Sequence, residues 1–146
     1  MTSEPTPEWI TEIESEHSEL RRYLETLESK LLATPANPVE WGVGVRETVD
    51  SIVLLLEKHF AREEAALSPD AAQGLFPELA AKLAVLNRHH PRLLAAFREA
   101  AGQAALPDLD AQKAAEVVRR LRDSIDAMRE HELSETELFD LVRLPA

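Results

Sequence analysis

The sequence predicts an all-α protein, an antiparallel up-down-up-down four-helix bundle, and three observations support this. Only four glycines occur in 146 residues, whereas domains rich in sheet turn often and use glycine to do so. Helix-start signals occur at four places, and the segments that follow carry apolar residues at alternating spacings of three and four. Four helices with short connections pack most simply as such a bundle. We therefore expect one domain over residues 1–146.

Each predicted helix begins with a proline beside an acidic residue, a combination that favours a helical first turn. The four signals are Thr6-Pro7-Glu8, Asn37-Pro38-Val39-Glu40, Phe76-Pro77-Glu78 and Pro107-Asp108-Leu109-Asp110. The predicted helices lie near residues 7–33, 38–67, 77–102 and 109–142. We expect Gly102 to end the third helix. The segment from Ser68 to Phe76 is the longest expected loop.

Composition excludes several classes of partner and site. The 27 acidic and 16 basic residues give a net charge of −11, which argues against nucleic acid and anionic membrane surfaces as partners. The absence of cysteine excludes disulfides, thiolate metal sites and cysteine nucleophiles. No apolar run approaches the roughly 20 residues of a membrane span, and the N-terminus lacks the features of a secretion signal. We therefore expect a cytoplasmic protein that does not contact membranes.

The apolar stripes predict which face of each helix is buried. They comprise Ile10, Ile13, His17, Leu20, Leu24, Leu27 and Leu31; Val45, Val49, Ile52, Leu56, His59, Glu63 and Leu67; Leu79, Leu83, Leu86, His90, Leu93 and Phe97; and Leu121, Ser124, Met128, His131, Glu135, Leu138 and Val142. Every stripe contains one histidine, and two stripes add a glutamate four residues later. A single core histidine is usually structural, but six unpaired ionisable groups would each cost several kcal/mol to bury. Their presence on four helices indicates a common purpose.

These six residues also form an internal repeat. His17 and His90 are 73 positions apart, and His59 and His131 are 72 positions apart, as are the two glutamates. Each half therefore has a helix with one histidine, followed by a helix with His-x-x-x-Glu, whose two side chains share one face. A pseudo-twofold bundle would surround its axis with four imidazoles and two carboxylates. This donor set suits two first-row transition ions bridged by carboxylates, because calcium and magnesium prefer oxygen and one tetrahedral zinc needs four ligands.

In this order the motifs resemble the hemerythrin-like, or HHE cation-binding, family over roughly residues 9 to 142. They are Glu16-His17-Ser18-Glu19-Leu20, His59-Phe60-Ala61-Arg62-Glu63-Glu64, His90-Pro91-Arg92-Leu93-Leu94 and His131-Glu132-Leu133-Ser134-Glu135. The resemblance implies a non-haem centre of two iron ions with an oxo or hydroxo bridge. By the same resemblance, one iron is held by His17 and His59, the other by His90 and His131, and both by Glu63 and Glu135. It further implies a small ligand such as oxygen, peroxide or nitric oxide, or a role in iron handling.

The chain departs from the oxygen-carrying members of that family. They have a second histidine on the third helix, where this chain has Leu86 and Leu94 four residues on either side of His90. They also end with His-x-x-x-x-Asp, whereas the position five after His131 is Thr136. The reduced ligand set resembles members proposed to sense or handle iron, oxygen, peroxide or nitric oxide. We therefore do not expect reversible oxygen carriage.

The residues alone leave several alternatives open. The native ion is iron or manganese, and catalytic turnover is undecided. A ferritin-like carboxylate centre would need two Glu-x-x-His pairs, but only Glu14 and His17 form one among the stripe histidines, and Glu14 lies off the stripe. A metal-free bundle that serves as an interaction module is the third alternative. The stripe favours His90 over its neighbour His89, and Glu64 and Glu132 are expected on the solvated surface, with an extra metal ligand as the alternative role.

Overall fold

The computed structural model describes residues 8–33, 35–66 and 77–143, and these form four α-helices. They are α1 (Glu8–Leu32), α2 (Pro38–Ala66), α3 (Pro77–Ala104) and α4 (Ala111–Arg143). The predicted four-helix bundle is confirmed. The signal at Thr6-Pro7, the stripe position Leu67 and the loop expected from Ser68 to Phe76 lie outside the described residues, as does the side chain of Val142.

The two capped helix starts follow the sequence signals. Asn37 Oδ1 accepts the backbone N–H of Glu40 at 3.2 Å at the start of α2. Asp110 Oδ1 accepts that of Lys113 at 2.8 Å at the start of α4. A side-chain oxygen at the N-cap satisfies an N–H that has no partner within the helix. Helix α4 therefore begins at Ala111, two residues after the expected start, because the capping residue is Asp110.

Contacts between successive helices pair the beginning of one with the end of the next. On α1 and α2, Lys30 Nζ lies 2.6 Å from Thr48 Oγ1, whereas Arg62 Nη1 lies 2.9 Å from Glu12 Oε2 near the opposite ends. The same reversed pairing relates α2 to α3 and α3 to α4. Helix α4 completes the bundle by packing against α1. Consecutive helices therefore run in opposite directions.

The stripe residues are buried and form two apolar clusters. The larger cluster contains residues such as Leu24, Ile52, Phe97 and Leu121. The smaller cluster consists of Ile10, Ile13, Leu83, Leu86, Leu138 and Phe139. Along α1, α3 and α4, the stripe histidine lies between residues of one cluster and residues of the other. The fold thus places a polar layer inside the bundle between two apolar regions. The stripe residue Leu79 is only partly buried and packs against the smaller cluster.

The expected end of α3 at Gly102 is wrong, because the helix continues to Ala104. Ala104 is fully buried, and its carbonyl oxygen lies where a Cβ on Gly42 of α2 would come within 2.0 Å. The last turn of α3 therefore packs directly on the backbone at the start of α2. This close approach leaves no room for a side chain and requires glycine at position 42.

None of the described helices is both long and apolar enough to cross a membrane.

Candidate metal centre

The six ionisable stripe residues meet in the polar layer between the two apolar clusters. Each of the four helices contributes one histidine, and α2 and α4 each add one glutamate. All six are buried, and none is more than 4% exposed. They are His17, His59, Glu63, His90, His131 and Glu135. His89 is exposed and lies outside this cluster.

Their donor atoms form two overlapping groups in which all ligand atoms lie within 4.8 Å of one another. One group contains His17, His59, Glu63 and Glu135; the other contains Glu63, His90, His131 and Glu135. The two carboxylates therefore belong to both groups, and each group has its own pair of imidazoles. Two nitrogen and two oxygen donors in each group suit a first-row transition ion.

Within the cluster, the Nε2 atoms point at shared positions. His59 Nε2 lies 2.7 Å from Glu63 Oε1, and His131 Nε2 lies 2.8 Å from Glu135 Oε1. His90 Nε2 and His131 Nε2 are only 3.2 Å apart. Two imidazole nitrogens at this distance compete for one proton, since one of them must donate and the other accept. Such convergence is expected of nitrogens that share a cation.

The unpartnered buried atoms test whether this donor set fits a metal. Buried atoms without a hydrogen-bond partner among the described residues include His17 Nε2, His59 Nε2, Glu63 Oε1 and both carboxylate oxygens of Glu135. The short His59–Glu63 contact therefore lacks the geometry of a hydrogen bond. A buried carboxylate or imidazole without a partner is costly. These atoms belong to residues of the two donor groups, so the residues fit a bound cation.

Two carboxylates outside the cluster contact the outer nitrogen, Nδ1, of two of the histidine rings. His59 Nδ1 lies 3.2 Å from Glu16 Oε1, and His90 Nδ1 lies 2.9 Å from Glu64 Oε1. A proton on Nδ1 leaves Nε2 with a free lone pair directed into the cluster. Carboxylates in this position fix the tautomer and orientation of metal-binding histidines and make them more basic. The sequence analysis missed the role of Glu16.

The prediction that Glu132 lies on the solvated surface is wrong. Glu132 is 5% exposed, its Oε1 has no hydrogen-bond partner among the described residues, and its Oε2 lies 3.4 Å from Arg21 Nε. Helix α4 turns this side chain towards α1, where the arginine covers it. The side chain of Glu64 is 50% exposed, as expected, yet its carboxylate contacts His90. Neither glutamate belongs to the two donor groups.

The histidines of the cluster differ in the direction in which their surroundings shift the pKa. Burial, reinforced by His90 and the other nearby imidazoles, lowers the pKa of His131 to about 3. Burial and the neighbouring His59 also lower the pKa of His17. Burial acts to lower the pKa of His59 as well, but Glu63 and Glu16 outweigh it, so that this pKa is raised. These shifts favour the neutral form of His17 and His131, which can bind a cation, and the protonated form of His59, from which a cation must displace a proton.

The positions on either side of His90 carry no donor. Leu86 is buried in the smaller apolar cluster, and Leu94 is partly buried against the larger one. Thr136 donates its hydroxyl to the backbone carbonyl of Glu132 at 3.0 Å. The positions at which the sequence departs from the oxygen carriers are thus taken by Leu86, Leu94 and Thr136, whose side chains pack or hydrogen-bond outside the two donor groups.

A helical bundle with buried, converging histidines and carboxylates defines a cation-binding helical protein. Residues 9–142 match the family described as the hemerythrin HHE cation binding domain, and the chain belongs to this family. Comparisons with curated proteins and with solved structures gave no match. Membership of the family implies a bound metal, and the histidines and glutamates of the cluster could bind one.

Proposed function

We propose that the bundle, as one domain over residues 1–146, holds two iron ions with an oxo or hydroxo bridge between them. His17 and His59 bind one ion, His90 and His131 bind the other, and Glu63 and Glu135 bridge both. The observation that carries this proposal is the pair of overlapping donor groups that share their two carboxylates. Manganese is the alternative ion, since the same nitrogen and oxygen donors accept it.

We further propose that the centre binds, senses or detoxifies a small oxygen species such as oxygen, peroxide or nitric oxide, or handles iron. A bound transition ion supplies an open coordination position and a Lewis acid. The chain itself determines which ligands reach the centre, because the apolar clusters on either side of the polar layer exclude charged solutes. Leu86 and Leu94 leave the His90–His131 group without a third imidazole, which supports ligand exchange there.

The two competing proposals have less support. A ferritin-like centre would draw on Glu14, but this residue lies on the exposed face of α1, away from the buried stripe. A metal-free bundle would leave the buried atoms of His17, His59, Glu63 and Glu135 without partners. Such atoms cost free energy that a protein without a cation does not recover.

Ligand exchange can be tested on the oxidised, iron-loaded protein. Adding azide or hydrogen peroxide should change its near-ultraviolet and visible absorption, and the metal-free protein is the control. An unchanged spectrum would indicate a closed, inert centre. Fully reversible oxygenation over repeated cycles would show that oxygen carriage is dismissed wrongly.

A further inference from the structure

A groove of about 560 Å³ runs between α3 and α4 and ends at the candidate metal centre. Leu93 and Ala96 line it on α3, Ser124 and Ala127 line it on α4, and His131 belongs to both the groove and the centre. Both alanines are exposed, so the groove is open to solvent. Its volume lies within the range of pockets for small organic molecules, roughly 300–1,000 Å³, and greatly exceeds that of a diatomic gas.

Two of the other three seams of the bundle are covered by carboxylates. Between α1 and α2, Glu16 contacts the His59 ring, and Arg62 Nε lies 3.2 Å from the same carboxylate. Between α2 and α3, Glu64 contacts the His90 ring at 2.9 Å. These contacts occupy the outer nitrogen of each histidine.

The seam between α4 and α1 is covered by Arg21 and the buried Glu132. The seam between α3 and α4 differs, because His131 Nδ1 is buried without a partner among the described residues. Its Nε2 contacts Glu135 inside the centre, so Nδ1, on the opposite side of the ring, faces away from the centre. Among the described residues, the outer nitrogen of His131 beside the groove is thus buried without a hydrogen-bond partner, whereas those of His59 and His90 contact carboxylates.

The internal repeat explains this difference. Adding the 73-residue repeat to Glu16, which contacts His59, gives position 89, and this position is a histidine. The His89 ring lies 6.0 Å from the His131 ring, centroid to centroid, and His89 lines the groove. A carboxylate that closes the first half is therefore replaced in the second half by an imidazole beside an open groove.

We propose that the α3–α4 groove binds a small uncharged molecule that approaches the candidate centre from the side of His90 and His131. His131 lines the groove and its buried Nδ1 has no partner among the described residues, so a guest with a polar atom would satisfy it. Leu93 and the two alanines contact an apolar body. The charged lining residues are of both signs, two arginines and three acidic residues, and Arg120 pairs with Glu99 at 2.9 Å. The groove therefore offers no rim of a single sign to an ionic guest, which favours an uncharged one. The approach to the metal rests on the proposed function; binding in the groove does not.

The first experiment measures the rate at which nitric oxide binds the reduced, iron-loaded protein. Ala127→Trp fills the groove from an exposed position, and Ala115→Trp places the same side chain at an exposed position of α4 away from it. We expect Ala127→Trp to lower the association rate at least about tenfold, and Ala115→Trp to leave it within about twofold. Equal rates in the two variants, with unchanged iron content, would overturn the proposed approach. Ala96→Trp, on the facing wall, provides a second test with the same expectation.

The second experiment tests binding without iron chemistry. tert-Butanol, an uncharged probe with an apolar body and an acceptor oxygen, is titrated into the zinc-loaded wild-type chain. In NMR spectra, the changes in amide chemical shift should concentrate at Leu93, Ala96 and Ala127, and they should disappear in Ala127→Trp. Shifts elsewhere, or none, would overturn the groove as a binding site. A chain that binds no metal would instead contradict the proposed function, and the titration would then be made on the chain as purified.

Discussion

Removal of the carboxylate behind His59 should weaken metal binding without touching a ligand atom. Glu16 Oε1 lies 3.2 Å from His59 Nδ1 and helps to raise the pKa of that imidazole. Loss of such an orienting partner costs roughly 10–100-fold in metal affinity. The Glu16 side chain is 25% exposed and the distance is at the long end of hydrogen bonding. We therefore expect the lower limit for Glu16→Ala, about tenfold, or about 1.4 kcal/mol.

Competition with a chromophoric chelator measures this affinity, and two variants isolate the cause. Glu12→Ala removes the other carboxylate that contacts Arg62 but none that contacts His59, so its affinity should stay within about twofold of wild type. Glu16→Gln keeps an oxygen that can accept from Nδ1 and should lie between the two. An unchanged affinity in Glu16→Ala would refute the orienting role. An equal loss in Glu12→Ala would instead attribute the effect to Arg62.

Three further predictions concern the ligands, the pH dependence and the packing. His59→Ala should lose most of the bound metal while His89→Ala keeps it, as elemental analysis would show; equal losses would contradict the site assignment. The raised pKa of His59 stabilises the metal-free fold at low pH, and this contribution is lost as pH rises through it. Because metal must displace that proton, the free energy by which metal stabilises the fold should grow by about 1.4 kcal/mol per pH unit for one proton. The difference in melting temperature between metal-bound and metal-free protein should therefore widen from about pH 5 to pH 7; a constant difference would count against this coupling. Gly42→Ala should destabilise the fold by about 1–3 kcal/mol in urea unfolding, since its Cβ would meet Ala104 O, whereas Gly44→Ala enters open space and should stabilise it by up to about 1 kcal/mol; similar effects of both would refute the packing argument.

Much of the fold follows from local patterns that the sequence displays directly. The three-and-four spacing of residues such as Leu24, Ile52 and Phe97 identifies the buried faces, because a helix places these positions on one side. The end of α3 does not follow from local pattern. Gly102 is a reasonable stop by itself, but the helix continues to Ala104, whose carbonyl packs against Gly42 at the start of α2.

The cluster was predictable because its members interrupt apolar stripes at corresponding positions of a repeat. Glu16 and Glu64 were not, since each lies beside a stripe residue on a helix edge that the sequence pattern marks as surface. Which edges face a neighbouring helix depends on how the helices are rotated in the bundle. Glu132 shows the same limit, because its burial results from the packing of α4 against α1 and Arg21.

The central claim is that each chain binds two metal ions between the four helices. Iron and manganese should be quantified per chain in protein purified without oxygen, and the metal-free chain should then be titrated to saturation with iron(II). The overlapping donor groups predict saturation at two ions per chain, because Glu63 and Glu135 belong to both groups. Saturation at one ion, or no binding, would contradict the account.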